Sequence, residues 1–121
     1  MQDGMAVIVD DDESIREAVC EMLQEIGEYS IATAEDGEEA LKRLQTGGIN
    51  LLLLDLMMPK IDGYEVLSTL RNGSVPRPVR VVVMSAHADP GAREGIIAMG
   101  ADEFLPKPFN MSQLQAAIGN E

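Results

Sequence analysis

The chain has 121 residues and 45% hydrophobic content, which suits one domain with a single sizeable core. Its net charge of −12 reflects 21 acidic against 9 basic residues, and the basic ones form no run or stripe, which argues against direct contact with nucleic acid phosphates. No apolar run reaches membrane-span length, Met1-Gln2-Asp3-Gly4 lacks a basic start, and the single cysteine, Cys20, allows no internal disulfide; together these predict a cytoplasmic domain.

Met5 to Val9 is a β-branched apolar run read as a first buried strand, ending in Asp10-Asp11-Asp12-Glu13. Ile15, Ala18, Val19, Met22, Leu23 and Ile26 then recur at spacings of three and four, the mark of one helical face, with Gly27 as its C-terminal cap and Cys20 off the stripe. Tyr29 to Thr33 is a short second strand. Asp36 followed by Glu39 gives a capping-box pattern for a helix that turns Ala40, Leu41 and Leu44 inward and stops at Gly47-Gly48.

Leu51-Leu52-Leu53-Leu54 shows no alternation, so neither face expects water; a short run of this kind, ended by Pro59 and the Asp62-Gly63 turn signal, suits a fully buried parallel strand, with Asp55 at its end. Asp62-Gly63 is a turn before a third helix with Val66, Leu67 and Leu70 on its buried side. Residues 72–78, with a glycine and two prolines, form a loop into a fourth strand, Val79 to Met84, which ends at Ser85. Asp89-Pro90 starts a fourth helix, weakened at Gly95 by about 1 kcal/mol relative to alanine and ended by Gly100. Glu103-Phe104-Leu105 is a brief fifth strand leading to Lys107-Pro108. Asn110, with Gln113 at the third helical position, caps a last helix facing Met111, Leu114, Ala117 and Ile118 inward.

Five strand–helix repeats imply an α/β domain: a parallel sheet covered on both faces, a three-layer, doubly wound (βα)5 sandwich. In the flavodoxin-like strand order 2-1-3-4-5, which is taken from known sheets of this type, strands one, three, four and five are successive neighbours. Their ends carry Asp10 and Asp11, Asp55, Ser85 and Lys107, and ligands in such sheets collect outside the carboxyl ends of the strands. Carboxylate pairs about 5 Å apart repel by about 3 kcal/mol at an effective dielectric near 20. Such a cluster takes up a proton or a cation, and an all-oxygen donor set selects Mg²⁺ over zinc or copper. Lys107 and Ser85 beside it suit a phosphoryl group carried by Asp55.

Val9-Asp10-Asp11-Asp12, Leu54 to Pro59 followed by Asp62-Gly63, Met84-Ser85-Ala86, and Gly100-Ala101-Asp102 through Lys107-Pro108-Phe109 stand in one order along essentially the whole chain. In that order they resemble the receiver domain of two-component response regulators, with residues 1–121 as the domain. The resemblance implies that Asp55 accepts phosphate from a histidine kinase or phosphotransfer protein. It also implies that Asp11 binds Mg²⁺ directly, Asp10 largely through water, and the backbone carbonyl of Met57 supplies another ligand. Ser85 and Lys107 would each hold a phosphoryl oxygen, and the Lys107-Pro108 bond is expected to be cis. Phe104 falls at the aromatic switch position, where many receivers have tyrosine, so output through a tyrosine hydroxyl is excluded. The last two helices and fifth strand would carry the signal to a downstream domain or protein.

Blander roles stand beside these. Asp12 and Glu13 suit a helix N-terminus, His87 a solvated loop, and Met22 and Met111 core filling. As an enzyme, the chain would do no more than promote its own phosphorylation and dephosphorylation. Two rivals remain: a haloacid-dehalogenase-like phosphatase, for which Asp10-Asp11-Asp12 holds a D-x-D spacing, and a phosphate-independent interaction module. A flavodoxin-type flavin carrier lacks its Ser/Thr-rich phosphate loop here.

Overall fold

A computed structural model describes residues 4–56, 63–72, 79–86 and 91–119. The elements alternate as expected: β1 (Gly4–Val9), α1 (Glu13–Ile26), β2 (Tyr29–Ala34), α2 (Gly37–Gln45), β3 (Ile49–Asp55), α3 (Gly63–Arg71), β4 (Arg80–Ser85), α4 (Ala92–Ala98), β5 (Glu103–Pro106) and α5 (Met111–Ile118). The strands pair in parallel in the order β2-β1-β3-β4-β5. The fold is the flavodoxin-like doubly wound sandwich.

The leucine run shows why neither face of β3 alternates. Leu52 and Leu54 pack with Val7, Val9, Val81 and Val83 beneath α2, α3 and α4, around Leu44, Leu67 and Ile96. Leu51 and Leu53 pack on the opposite face with Ala6, Ile8, Val82 and Met84, beneath Leu23 of α1 and Leu114 of α5. One strand thus feeds two cores, as a parallel sheet covered on both sides requires.

Local signals set the helix ends, with exceptions. Asn110 and Gln113 form the complete reciprocal box at α5. Asp36 accepts the Glu39 N–H, but the Glu39 carboxylate turns to the Glu35 N–H instead of closing the box on Asp36. Gly27 closes α1 through its N–H to the Leu23 carbonyl, yet its backbone is extended (φ −161°), so the cap uses no left-handed residue. Cys20 was expected off the apolar face of α1; it is partly buried and packs against the α1–α5 core, because a fourteen-residue helix lying on the sheet buries more than a narrow stripe. Gly91 occupies the N-cap of α4, and Asp89-Pro90, His87 and Met58 lie outside the described residues.

Register aligns the strand ends. Val9 stands opposite Leu54, and Asp55 opposite Met84. Asp10 therefore follows β1 beside the last residue of β3. Ser85 pairs with Pro106, so Lys107 comes one residue later on the neighbouring strand.

Gly63 and Gly95 make opposite demands on space. A Cβ on Gly63 would meet the Asp55 carbonyl oxygen at 2.5 Å and Leu56 Cα at 2.6 Å, whereas one on exposed Gly95 meets nothing within 4 Å. Gly63→Ala is expected to destabilise the fold by about 1–3 kcal/mol through forced displacement, and Gly95→Ala to stabilise it by about 0.5–1 kcal/mol. Urea unfolding of the two variants, which should move the midpoint in opposite directions, is the check.

Candidate phosphoacceptor and metal site

Four strand ends bring the sequence-predicted side chains together at one edge of the sheet. Asp10 is 1% exposed, Asp55 4% and Ser85 2%, while Asp11 stands in water. Backbone bonds fix their supports. The Asp10 N–H donates to the Ala34 carbonyl at the end of β2 (3.1 Å), and the Lys107 N–H to the Ser85 carbonyl (2.8 Å). The Gly63 N–H donates to the Leu56 carbonyl at 3.0 Å, so the start of α3 lies directly against the chain leaving Asp55.

Lys107 joins the two buried acids. Its ammonium lies 2.7 Å from Asp10 Oδ2 and 3.4 Å from Asp55 Oδ1. The second oxygen of Asp10 accepts the Asp12 N–H at 3.0 Å. The peptide bond from Lys107 to Pro108 is cis. Burial is the largest single influence on the Lys107 ammonium and lowers its pKa. The hydrogen bond and charge of Asp10, with the charge of Asp55, outweigh it and leave the pKa raised. Lys107 is therefore a fixed positive charge at neutral pH.

One carboxylate oxygen from each of Asp10, Asp11 and Asp55 falls within 4.8 Å of the others. Formally, three carboxylates face one ammonium, an excess of two negative charges that a divalent cation would match. The donors are oxygen alone, two of them held by rigid strand ends and one open to water, which fits Mg²⁺ with its retained waters. Met57, the expected backbone-carbonyl ligand, lies outside the described residues. Phe104 is 7% exposed and packs in the α2–α4 core, opposite Val83 of β4, the strand that carries Ser85.

Two supporting residues escape a reading of the sequence. Arg16, from the first turns of α1, donates through Nη1 to the Asp10 carbonyl at 2.7 Å and steadies the strand end from outside. Its six-residue distance from Asp10 is the only available signal, and it becomes meaningful once α1 is known to fold back over β1. Gly63 reads as a turn residue, but its contact with the Asp55 carbonyl shows a steric requirement set by α3 packing.

Residues 6–119 match the family described as the response regulator receiver domain. The chain belongs to that family. A probable transcriptional regulator, ycf27, from Porphyridium aerugineum is 40% identical over 118 residues, covering 98% of this receiver and 48% of the regulator. This receiver thus spans about half the length of that relative. Among solved structures, the receiver domain of the Francisella response regulator 1452 superposes with a TM-score of 0.86 at 27% identity, covering 96% of this chain and 93% of that one. In the CheX-CheY-BeF3-Mg+2 complex from Borrelia burgdorferi, the matching chain has a TM-score of 0.85 at 27% identity, covering 94% and 85% respectively. No helix among the described residues is long and apolar enough to cross a membrane.

Variants at Asp11 and Lys107 test the electrostatics. Asp11→Asn relieves repulsion without removing a buried hydrogen bond, so the melting temperature in EDTA is expected to rise. The same change should weaken Mg²⁺ affinity, read by metal titration, by at least the roughly tenfold that loss of a supporting partner brings. Because the folded-state pKa of Lys107 is raised, the stability contributed by its charge is complete below the ordinary lysine pKa of about 10.4 and is lost as pH rises through the folded value. Denaturation of metal-free protein at rising alkaline pH should show that decline, and Lys107→Met should lessen it.

Proposed function

We propose that this receiver accepts a phosphoryl group on Asp55 from a histidine kinase or a histidine phosphotransfer protein and relays the change through its α4–β5–α5 face. The receiver domain is taken to occupy residues 1–121. The observation that carries the reading is the Lys107 ammonium set between Asp10 and Asp55, with Asp11 completing a triad of oxygens.

In the transfer, an Asp55 carboxylate oxygen attacks phosphorus in line with the leaving group. The P–N bond of a phosphohistidine breaks, and its electron pair returns to the imidazole nitrogen. With acetyl phosphate the P–O bond breaks and acetate leaves. Asp10, Asp11, Asp55 and the Met57 carbonyl would hold Mg²⁺, which when bound neutralises charge on the phosphoryl oxygens. Lys107 is positioned to exchange part of its ion pairing for one phosphoryl oxygen, and the Ser85 hydroxyl to donate to another. The Lys107 ammonium is held beside Asp55 before reaction, so its charge is already in place as charge develops. Hydrolysis of the acyl phosphate by water resets the site.

Asp55 is assigned as nucleophile because it stands where receivers carry the phosphoacceptor, in Leu54-Asp55-Leu56-Met57-Met58-Pro59; both Asp10 oxygens accept hydrogen bonds, from Lys107 and from the Asp12 N–H. That occupancy disfavours the phosphatase alternative, in which the D-x-D run would supply the attacking group. The full set of polar strand ends disfavours a module that ignores phosphate. With a net charge of −12, output is assigned to a downstream domain or protein rather than to DNA contact by this segment.

Incubation with Mg²⁺ and acetyl phosphate, followed by intact-mass measurement, is expected to show one phosphate-sized gain in the wild type. Asp55→Asn should show none, and EDTA should abolish the gain. No gain in the wild type, or an equal gain in Asp55→Asn, overturns the assignment.

A further inference from the structure

The seven-residue helix α4 is finished very differently at its two ends. At the C-terminus, Gly100 (φ +117°) donates its N–H to the Ile97 carbonyl at 3.0 Å, and Ala101 donates to Ile96 at 3.3 Å. Those two bonds form the double closure that a left-handed residue permits. Arg71, the last residue of α3, reaches the same place. Its Nε donates to the Gly100 carbonyl at 2.6 Å and its Nη2 to Asp102 Oδ2 at 3.3 Å. That Asp102 oxygen also accepts the Val81 N–H at 2.7 Å, and the Asp102 N–H donates to the Val81 carbonyl at 2.9 Å. A Cβ on Gly100 would lie 2.5 Å from Arg71 Cγ, so the arginine stem rests against bare backbone.

Among the described residues, the other end has no such lock. Gly91 (φ +86°) stands at the N-cap and makes no side-chain cap bond. Gly95 follows within the helix, and among the described residues α4 buries only Ile96. The first turn is tied to β5 by Arg93 Nη2 and Glu103 Oε1 at 2.7 Å, with the arginine side chain 58% exposed. Pairs of that kind hold weakly. The same Glu103 oxygen accepts the Phe104 N–H at 3.2 Å, so release of Arg93 would be felt at the buried aromatic.

We propose that Arg71 is the fulcrum of α4: the helix swings by its first turn, on the side of the strand end that carries Ser85, while Met99 to Asp102 stay locked to α3 and β4. The clamp stands on its own geometry. The swing it directs rests on Asp55 phosphorylation as the driving event. Arg71 is thus a positioning residue, bonded through Asp102 to Val81 near the opposite end of β4 from Ser85, that decides which part of α4 responds.

Residue-resolved amide exchange on the whole chain tests this with wild type, Arg71→Gln, Arg93→Gln and Gly100→Ala, each with and without Mg²⁺ and acetyl phosphate. Without phosphate, Arg71→Gln should speed exchange of amides 99–102 by roughly tenfold or more while α1 and α2 keep wild-type rates. Gly100→Ala, which displaces the arginine stem, should do the same, and Arg93→Gln should not. With phosphate, the wild type should change at residues 92–95 more than at 99–102, and Arg71→Gln should spread the change through 102. Unaltered exchange at 99–102 in Arg71→Gln overturns the proposal. So does a rise shared equally by α1 and α2, or a phosphorylated wild type that responds uniformly along α4. Intact mass on the same samples separates the two readings: absence of phosphate defeats the Asp55 assignment, and the unphosphorylated comparison then decides the clamp.

Discussion

One ammonium between two buried carboxylates is what makes this edge of the sheet physically tolerable. Asp10 and Asp55 are almost wholly withdrawn from water, and a pair of like charges in such surroundings is strongly unfavourable unless neutralised. Lys107 reaches both. Its position is in turn fixed by the bond from its own N–H to the Ser85 carbonyl, so the counter-charge is part of the β4–β5 pairing rather than a loose side chain finding a partner. The neutralisation is incomplete, because Asp11 adds a third carboxylate. The residual negative charge is what a divalent cation would offset, and it would leave Lys107 able to trade partners.

Everything upstream of that pocket serves alignment. A parallel sheet presents all its carboxyl ends on one side, and the order β2-β1-β3-β4-β5 makes neighbours of the four strands that end in reactive groups. Leucine and valine on both faces of β3 and β4 exclude register slippage, since a shift by one residue would exchange the contents of two fully packed cores. The edge strand β2 supports Asp10 through the Ala34 backbone carbonyl, whereas the other edge, β5, leads to Lys107.

Much of this is readable without coordinates, for definite reasons. The Leu51–Leu54 run, the helical stripes of α1 and α5, and the Asn110–Gln113 box are local signals whose meaning does not depend on the rest of the chain. Asp10, Asp55, Ser85 and Lys107 stand at strand ends that such signals locate. The strand order is different: it came from known sheets, and the register now shows why it suits these residues. What stayed hidden depends on distance in sequence. Arg71 finds Gly100 across 29 residues, and no periodicity announces that the two will meet. The Glu39 carboxylate chose Glu35 over Asp36 because backbone direction ahead of α2, not residue identity, decides which N–H it can reach. Cys20 was misplaced because a stripe drawn at ideal helical spacing is narrower than the surface a sheet covers.

The difference in exposure between Asp10 and Asp11 has a kinetic side. Asp10 is buried, whereas Asp11 is exposed to solvent. A divalent ion held here would meet the exposed Asp11 oxygen first and the buried Asp55 oxygen next, keeping water between itself and Asp10, with none of the described strands or helices needing to part. Loading and unloading would then follow the water-exchange rate of the ion rather than any opening of the fold, so the occupancy of the site would track the surrounding magnesium concentration promptly.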